Sequence, residues 1–305
     1  MKPYTKVHKF RGYINRLRRL AAPKSASLFR LSSGLHFVHL PGNELSELIY
    51  MGRAYEPVET EFATRFLQRG DVAIDIGANI GYFTALFSNA VGRDGRVIAL
   101  EPGPTTFSHL ITVVERLKLS NVYPIPMAAW KENSVLTFNS SVSGADAQQS
   151  FFEREKTRGN TRPIPVAGVT LETLMNAEWA IGLSTPTLIK LDVEGAEPQA
   201  WHGMKPLLEG KWRDDSPVFM VEFNHESLTA AGHSPLLFLS DLQETFDLYA
   251  TALVWPPWHT TARGFLPIEH FDVQAAACEL NLLCIPKSGK NRDWAKLCLE
   301  TTSGR

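Results

Sequence analysis

The 305-residue sequence predicts an α/β fold, a doubly wound and mostly parallel sheet with helices on both faces. Three observations carry that expectation. From Asp71 onward, short apolar runs alternate with stretches of helical periodicity, the pattern of strand–helix–strand units. Within Asp75-Ile76-Gly77-Ala78-Asn79-Ile80-Gly81 the glycines separate a buried strand, Val72 to Ile76, from a helix, Tyr82 to Ala90. That turn is too tight for side chains. Further on, Glu101 closes the apolar run Val97-Ile98-Ala99-Leu100, at the tip of the next strand.

The elements follow in order. Residues 1–43 hold nine Lys or Arg and no Asp or Glu. Phe10, Tyr13, Ile14, Leu17 and Leu20 recur at helical spacing, with Arg11, Arg16, Arg18 and Arg19 off that stripe and Pro23 ending it. Such a basic amphipathic helix lies on an anionic membrane or a partner, or docks on its own domain or frays as a terminus. Residues 27–40 read as a hairpin with Ser33-Gly34 near its turn, and residues 44–69 as helical, with Pro57 opening a second helix and Gly70 beyond its end. This divides the chain into a basic helical/hairpin extension, 1–55, and a catalytic domain, 56–305.

Strands are expected at 71–76, 96–101, 121–128, 187–193, 217–223, 247–254 and 280–285, and helices at 80–90, 104–118, 170–178, 195–209 and 235–245. Residues 131–168 break the rhythm, with a β segment at Val135 to Phe138 and a polar stretch from Asn139 to Asn160. That stretch is either a loop over the site or a plain surface insertion.

Composition narrows the function. A net charge of −1 gives no global field that favours nucleic acid. Cys278, Cys284 and Cys298 are odd in number and fit no metal spacing, so free thiols and a cytoplasmic, reducing location are expected. No apolar run approaches the ~20 residues of a membrane span, and no signal peptide is evident.

A strand, a glycine turn and a helix set backbone N–H groups against a ligand, and an acid at the next strand tip can accept ribose hydroxyls. The dinucleotide fingerprint is Gly-x-Gly-x-x-Gly, whereas here the order is Asp-x-Gly-x-Asn-x-Gly. Asp75 would repel a pyrophosphate and attract a cationic amine. The pattern therefore predicts S-adenosyl-L-methionine, bound by Asp75, Gly77, Asn79, Gly81 and Glu101.

A second acidic cluster is Lys190-Leu191-Asp192-Val193-Glu194-Gly195-Ala196-Glu197. Lys190 and Asp192 share a strand face by the period of two, and Asp192 falls at the strand tip. Glu194 and Glu197 open a helix, where acids also serve the macrodipole. The next strand ends Val221-Glu222-Phe223-Asn224-His225. Asp192 and His225 are the candidate bases and Glu222 is the third. A Mg²⁺ held by Asp192, Asn224 and His225 is the weaker reading, since hard cations prefer oxygen.

These motifs resemble the FkbM family of S-adenosylmethionine-dependent methyltransferases over residues 56–205. The resemblance rests on Asp71-Val72-Ala73-Ile74-Asp75-Ile76-Gly77-Ala78-Asn79-Ile80-Gly81-Tyr82-Phe83-Thr84, on Ala99-Leu100-Glu101-Pro102, and most specifically on Ile189-Lys190-Leu191-Asp192-Val193-Glu194-Gly195-Ala196-Glu197. It implies a Rossmann-like class I methyltransferase sheet of seven strands, the last of them, 280–285, antiparallel. It also implies methyl transfer to a hydroxyl of a sugar, polyketide or similar metabolite. Competing readings are an RNA or protein methyltransferase of the same fold and a silent cofactor-binding protein. The run Trp255-Pro256-Pro257-Trp258 lacks the polar first residue of amine-methylating loops and reads as a rim loop, with Trp255, Trp258 and His259 available to stack on a flat ring. No Pro-Cys dipeptide exists, which argues against a cysteine nucleophile for pyrimidine methylation.

Overall fold

The structure, a computed structural model, describes residues 22–141, 150–152, 161–180, 182–252, 264–275 and 278–302. The basic segment before residue 22, the Trp255–His259 run and most of the 139–160 stretch lie outside those residues.

The described chain begins with the expected hairpin. Strands β1 (Ser27–Arg30) and β2 (His36–His39) pair antiparallel, turning through Gly34 at φ 90°. Helix α1 (Glu44–Gly52) is capped by Asn43, whose side chain accepts from the Ser46 N–H. Helix α2 (Pro57–Phe66) opens on Pro57 as expected and stops earlier than the pattern implied, at the extended Leu67.

The main sheet then starts. Strand β3 (Val72–Ile76) is buried at every position, as a central parallel strand must be. It leads through the glycine turn to α3 (Tyr82–Val91), then β4 (Arg96–Leu100), α4 (Pro104–Leu117) and the edge strand β5 (Val122–Ile125). The strand expected over 121–128 is thus split. Pro126 ends β5, and β6 (Ala128–Ala129) turns into a separate three-stranded sheet with β7 (Ser134–Ser141) and β8 (Thr161–Val169).

The chain returns through α5 (Leu171–Met175) to β9 (Leu188–Leu191), α6 (Glu197–Glu209), β10 (Val218–Asn224), α7 (His225–Ala230), α8 (Pro235–Thr245) and β11 (Phe246–Ala252). Helix α5 is shorter than expected; a separate 3₁₀ turn, Glu178–Ala180, takes up the end of that segment. Two-residue β12 (Leu266–Pro267), β13 (Glu279–Pro286) and α9 (Lys290–Thr302) complete it.

The sheet order is β12-β11-β13-β10-β9-β3-β4-β5. Seven strands are those expected, and β12 adds an eighth by a two-residue pairing with Tyr249 and Ala250. Strands β10, β9, β3, β4 and β5 are mutually parallel. Strand β13 runs antiparallel between β10 and β11, as expected for 280–285. Its first residue, Glu279, therefore lies at the carboxyl edge of its parallel neighbours.

Alternate residues feed two cores. Ala73, Val97 and Leu188 face one layer with Phe62, Phe66, Phe87 and Leu299; Ile74, Ile98 and Ile189 face the other with Trp201, Met204 and Leu242. The hairpin is part of the first layer through Phe29 and Phe37. Strand order reverses between β3 and β9, which opens a crevice at their carboxyl ends.

Candidate active site

A cavity of about 560 Å³ fills that crevice. Its two halves are built differently.

The first half is the glycine turn. Gly77 has φ 80°, and a Cβ there would lie 1.8 Å from the Asp192 carbonyl oxygen, so only glycine lets the β3 and β9 loops touch. Gly81, at φ 87°, begins α3 and has no place on the cavity wall; a Cβ there would meet Leu110 at 2.7 Å. Four of the turn's N–H groups are taken by protein acceptors, where the sequence led to the expectation of donors set against a ligand. Gly77 and Ala78 both donate to the Leu100 carbonyl at 2.9 Å, Gly81 to Ala78 at 2.8 Å, and Asn79 to Glu101 Oε2 at 3.0 Å. Gly103 N–H donates to Glu101 Oε1 at 2.8 Å. These bonds hold the Glu101 carboxylate on the wall, and a carboxylate has about four acceptor positions, so they do not exhaust it.

Two acceptors of the turn, on Asp75 and Asn79, lie in the cavity wall. Asn79 sits at φ 49°, and its buried Oδ1 has no hydrogen-bond partner. Asp75 is 1% exposed and accepts from Thr84 Oγ1 at 2.5 Å. Burial raises its pKa, and Lys190 pulls against that.

The second half is built by β9, β10, β13 and the start of α2. Register aligns Leu191 with Val221, so Asp192 and Glu222 flank each other just beyond, as the sequence implied. Lys190 Nζ donates to Asp192 Oδ2 at 2.5 Å and lies 4.7 Å from the Phe83 ring centroid. Burial alone would lower the Lys190 pKa, but Asp192, Glu56 and Asp75 outweigh it and hold the ammonium above its ordinary range. Burial, with Asp192 and Glu194 beside it, raises Glu222 well above the carboxylate range, and its Oε2 has no partner.

Glu197 has a structural task. It accepts from Val193 N–H at 3.0 Å and from Gly195 N–H at 3.0 Å, which fixes the Glu194–Gly195 turn at φ 57° and 99°. His225 does not join the site. It opens α7, its N–H donates to the Cys278 carbonyl, and its side chain is not on the cavity wall. Asn224 is spent as the cap of that helix, accepting from Ser227 N–H at 3.0 Å. Helix α7 starts where the strand was expected to run on, so Asn224 and His225 serve as its cap and first residue. Among the described residues no cluster of three or more His, Cys, Asp or Glu side chains is arranged to hold a metal ion.

Two wall residues escaped the sequence reading. Glu56 is 7% exposed with an unpartnered Oε2, and Tyr55 hydrogen-bonds to its carboxyl. Tyr55, Glu56, Asp192 and Glu222 line the same cavity, and burial together with the charges of the three acids raises the Tyr55 hydroxyl well above its ordinary range. Burial pushes Glu56 up to about 8. Glu56 also takes φ 37° directly before Pro57. A left-handed non-glycine there is strained, and such strain concentrates at functional sites. Phe138, Ser150 and Phe151 also reach the wall, so the described part of the irregular 139–160 stretch borders the cavity. In all, nine Asp or Glu and a single cation, Lys190, line it among the described residues.

A family model described as "Methyltransferase FkbM domain" matches residues 75–244, a little over half of the chain. No curated protein matches. Among solved structures, a methyltransferase FkbM from Methylobacillus flagellatus KT is 14% identical with a TM-score of 0.44; the match covers 78% of this chain and 52% of that one. A SAM-dependent O-methyltransferase from Thermotoga maritima is 15% identical (TM-score 0.40, 85% and 77% covered). M. jannaschii TYW2 in complex with AdoMet is 13% identical (TM-score 0.39, 86% of each chain covered). Likeness at this level carries no argument about what this chain binds or methylates.

Proposed function

The chain belongs to the FkbM methyltransferase family, and from that membership we propose that it transfers a methyl group from S-adenosyl-L-methionine to a hydroxyl of a sugar, polyketide or other small metabolite. The observation that carries the cofactor is the direction of the glycine turn. A phosphate-bearing dinucleotide needs N–H donors from such a turn. Here Gly77, Ala78, Asn79 and Gly81 donate inward, and the wall offers oxygens instead. Those oxygens suit a ligand with an ammonium, a ribose and no phosphate. Asp75 and Asn79 would hold the ammonium, and Glu101 the ribose hydroxyls. Gly77 and Gly81 serve by allowing the close approaches that shape the turn.

When bound, S-adenosylmethionine supplies an electrophilic methyl on a sulfonium and leaves as the neutral thioether. The protein's part is to hold the acceptor oxygen in line and remove its proton. Holding the reactants collinear supplies roughly 7–11 kcal/mol. Asp192 is the proton acceptor in this reading. It sits at the junction of the two halves and is 26% exposed at its side chain. Lys190 Nζ donates to its Oδ2 and fixes the carboxylate in place. Glu222, raised by burial and by Asp192 beside it, lines the same wall and touches the substrate rather than serving as the base. His225 lies off the wall and has no part.

The test uses S-adenosylmethionine labelled in its methyl group and a panel of sugar and polyketide alcohols. The wild-type protein transfers label to an alcohol of the panel. Asp192→Asn lowers that rate roughly 10²–10⁴-fold while binding S-adenosylhomocysteine normally. Normal turnover by Asp192→Asn would remove the base, and label carried to nitrogen or carbon would remove the O-methylation reading.

A further inference from the structure

The second half of the cavity is more acidic than methyl transfer to a plain alcohol requires. Asp192 has its counter-ion in Lys190. Glu56, Glu222 and Glu279 stand beside it on the same wall with no second cation among the described residues there. Two of these groups carry an independent sign of a missing ligand. Glu56 Oε2 is buried without a partner on a residue only 7% exposed, and Glu222 Oε2 is likewise buried without one. They come from different elements that the fold locks together. Glu59, one turn along α2 from Glu56, accepts from Asn281 Nδ2 at 2.6 Å, and Asn281 pairs with Glu222 across β13 and β10.

Resting on the methyl-transfer reading above, we propose that Glu56 and Glu222 form the acceptor subsite and select an amine-bearing alcohol, such as an amino sugar, whose ammonium they hold while Asp192 faces its hydroxyl. The chemistry follows from the donor and acceptor inventory. Two orphaned carboxyl oxygens accept and an ammonium offers three donors and no acceptor. Charge-assisted bonds of this kind are the strong ones. A phosphorylated sugar or a nucleic acid would bring further negative charge against this wall. Burial pushes both carboxyl groups upward, and an ammonium beside them favours their ionised forms, so binding is accompanied by proton release.

The experiment is isothermal titration of the full chain saturated with S-adenosylhomocysteine, using glucosamine, N-acetylglucosamine and glucose 6-phosphate as probes. Each titration is run in two buffers of different ionisation enthalpy. Glucosamine binds roughly tenfold or more tighter than either other probe and releases protons. Glu56→Gln and Glu222→Gln each weaken glucosamine roughly tenfold or more and leave the affinity for S-adenosylhomocysteine as it was. The two variants lie on separate elements, so misfolding of one leaves the other to decide. Absent glucosamine binding, equal binding of N-acetylglucosamine, tighter binding of the phosphate, or indifference to both variants overturns the subsite. Failure to bind S-adenosylhomocysteine at all is a different result, which overturns the methyl-transfer reading and this inference with it.

Discussion

At the scale of single residues, the site depends on a few positions where backbone and charge leave no alternative. Gly77 is the sharpest case, because a Cβ at 1.8 Å from a carbonyl oxygen must move two loops. Gly77→Ala therefore costs about 3 kcal/mol in chemical denaturation, with strain at φ 80° added to the clash. Little change in stability would show that the loops have slack. Glu56 gives a pH dependence. Its folded pKa, about 8, stands above its ordinary 4.5, so its protonated form favours the fold. That stabilisation is complete below about 4.5 and is lost as pH rises toward 8. The unliganded protein should lose thermal stability over that window, and Glu56→Gln should flatten the slope. Glu197, raised by burial to about 7, leaves a residual slope. An unchanged profile in Glu56→Gln would mean the carboxyl is already ionised. Asp75, Glu101 and Asp192 were legible in the sequence because an acid at the end of an apolar strand has few other reasons to be there. Glu56 was not, because an acid before Pro57 reads as an ordinary helix start, and its burial comes from a contact with strands far along the chain. His225 read as reachable because a histidine follows the strand directly; a helix starts at it, and it is not among the cavity-lining residues.

At the scale of elements, two contacts hold the walls in place. Helix α6 lies so close to the β6 loop that a Cβ on Gly203 would meet the Trp130 carbonyl oxygen at 2.0 Å. A Gly→Ala change inside a helix normally gains up to ~1 kcal/mol. Gly203→Ala should instead lose about 1–3 kcal/mol, read as a fall in denaturation midpoint, and a gain would mean that α6 can shift away from the loop. Across the sheet, Asn281 binds β13 to α2 through Glu59. Asn281→Ala leaves that buried carboxyl without its donor and should cost about 1–3 kcal/mol. It should also weaken amine probes, since Glu56 rides on the same helix. Intact probe binding in that variant would separate the subsite from the α2 anchor. The paired strands and helices were legible from alternation. The 290–302 helix was not, because its polar sequence buries only a narrow stripe among the described side chains, Asn291, Ala295, Cys298 and Leu299. The split at 125–129 was hidden because Pro124 is tolerated in an edge strand, while Pro126 is what ends it.

At the scale of the whole molecule, sheet order and site location follow from one another. A reversal of strand order between β3 and β9 makes a single crevice, and every strand tip that borders it carries an acid. No helix among the described residues is long and apolar enough to cross a membrane. The parallel sheet and the acids Asp75, Glu101, Asp192 and Glu222 could be read in advance from local pattern, whereas the antiparallel last strand came from the family resemblance and Glu279 was not foreseen. The inward turn of the glycine N–H groups could not be read in advance, since it depends on where the Leu100 carbonyl and the Glu101 carboxylate come to lie. That feature is also the centre of the functional account. Calorimetric titration with S-adenosylmethionine and with NAD, alongside Glu101→Ala and Asp75→Ala, tests it most directly. Micromolar binding of S-adenosylmethionine, no measurable binding of NAD, and a loss of roughly tenfold or more in affinity in each variant are expected. Preference for NAD, or no binding of either nucleoside, would contradict it.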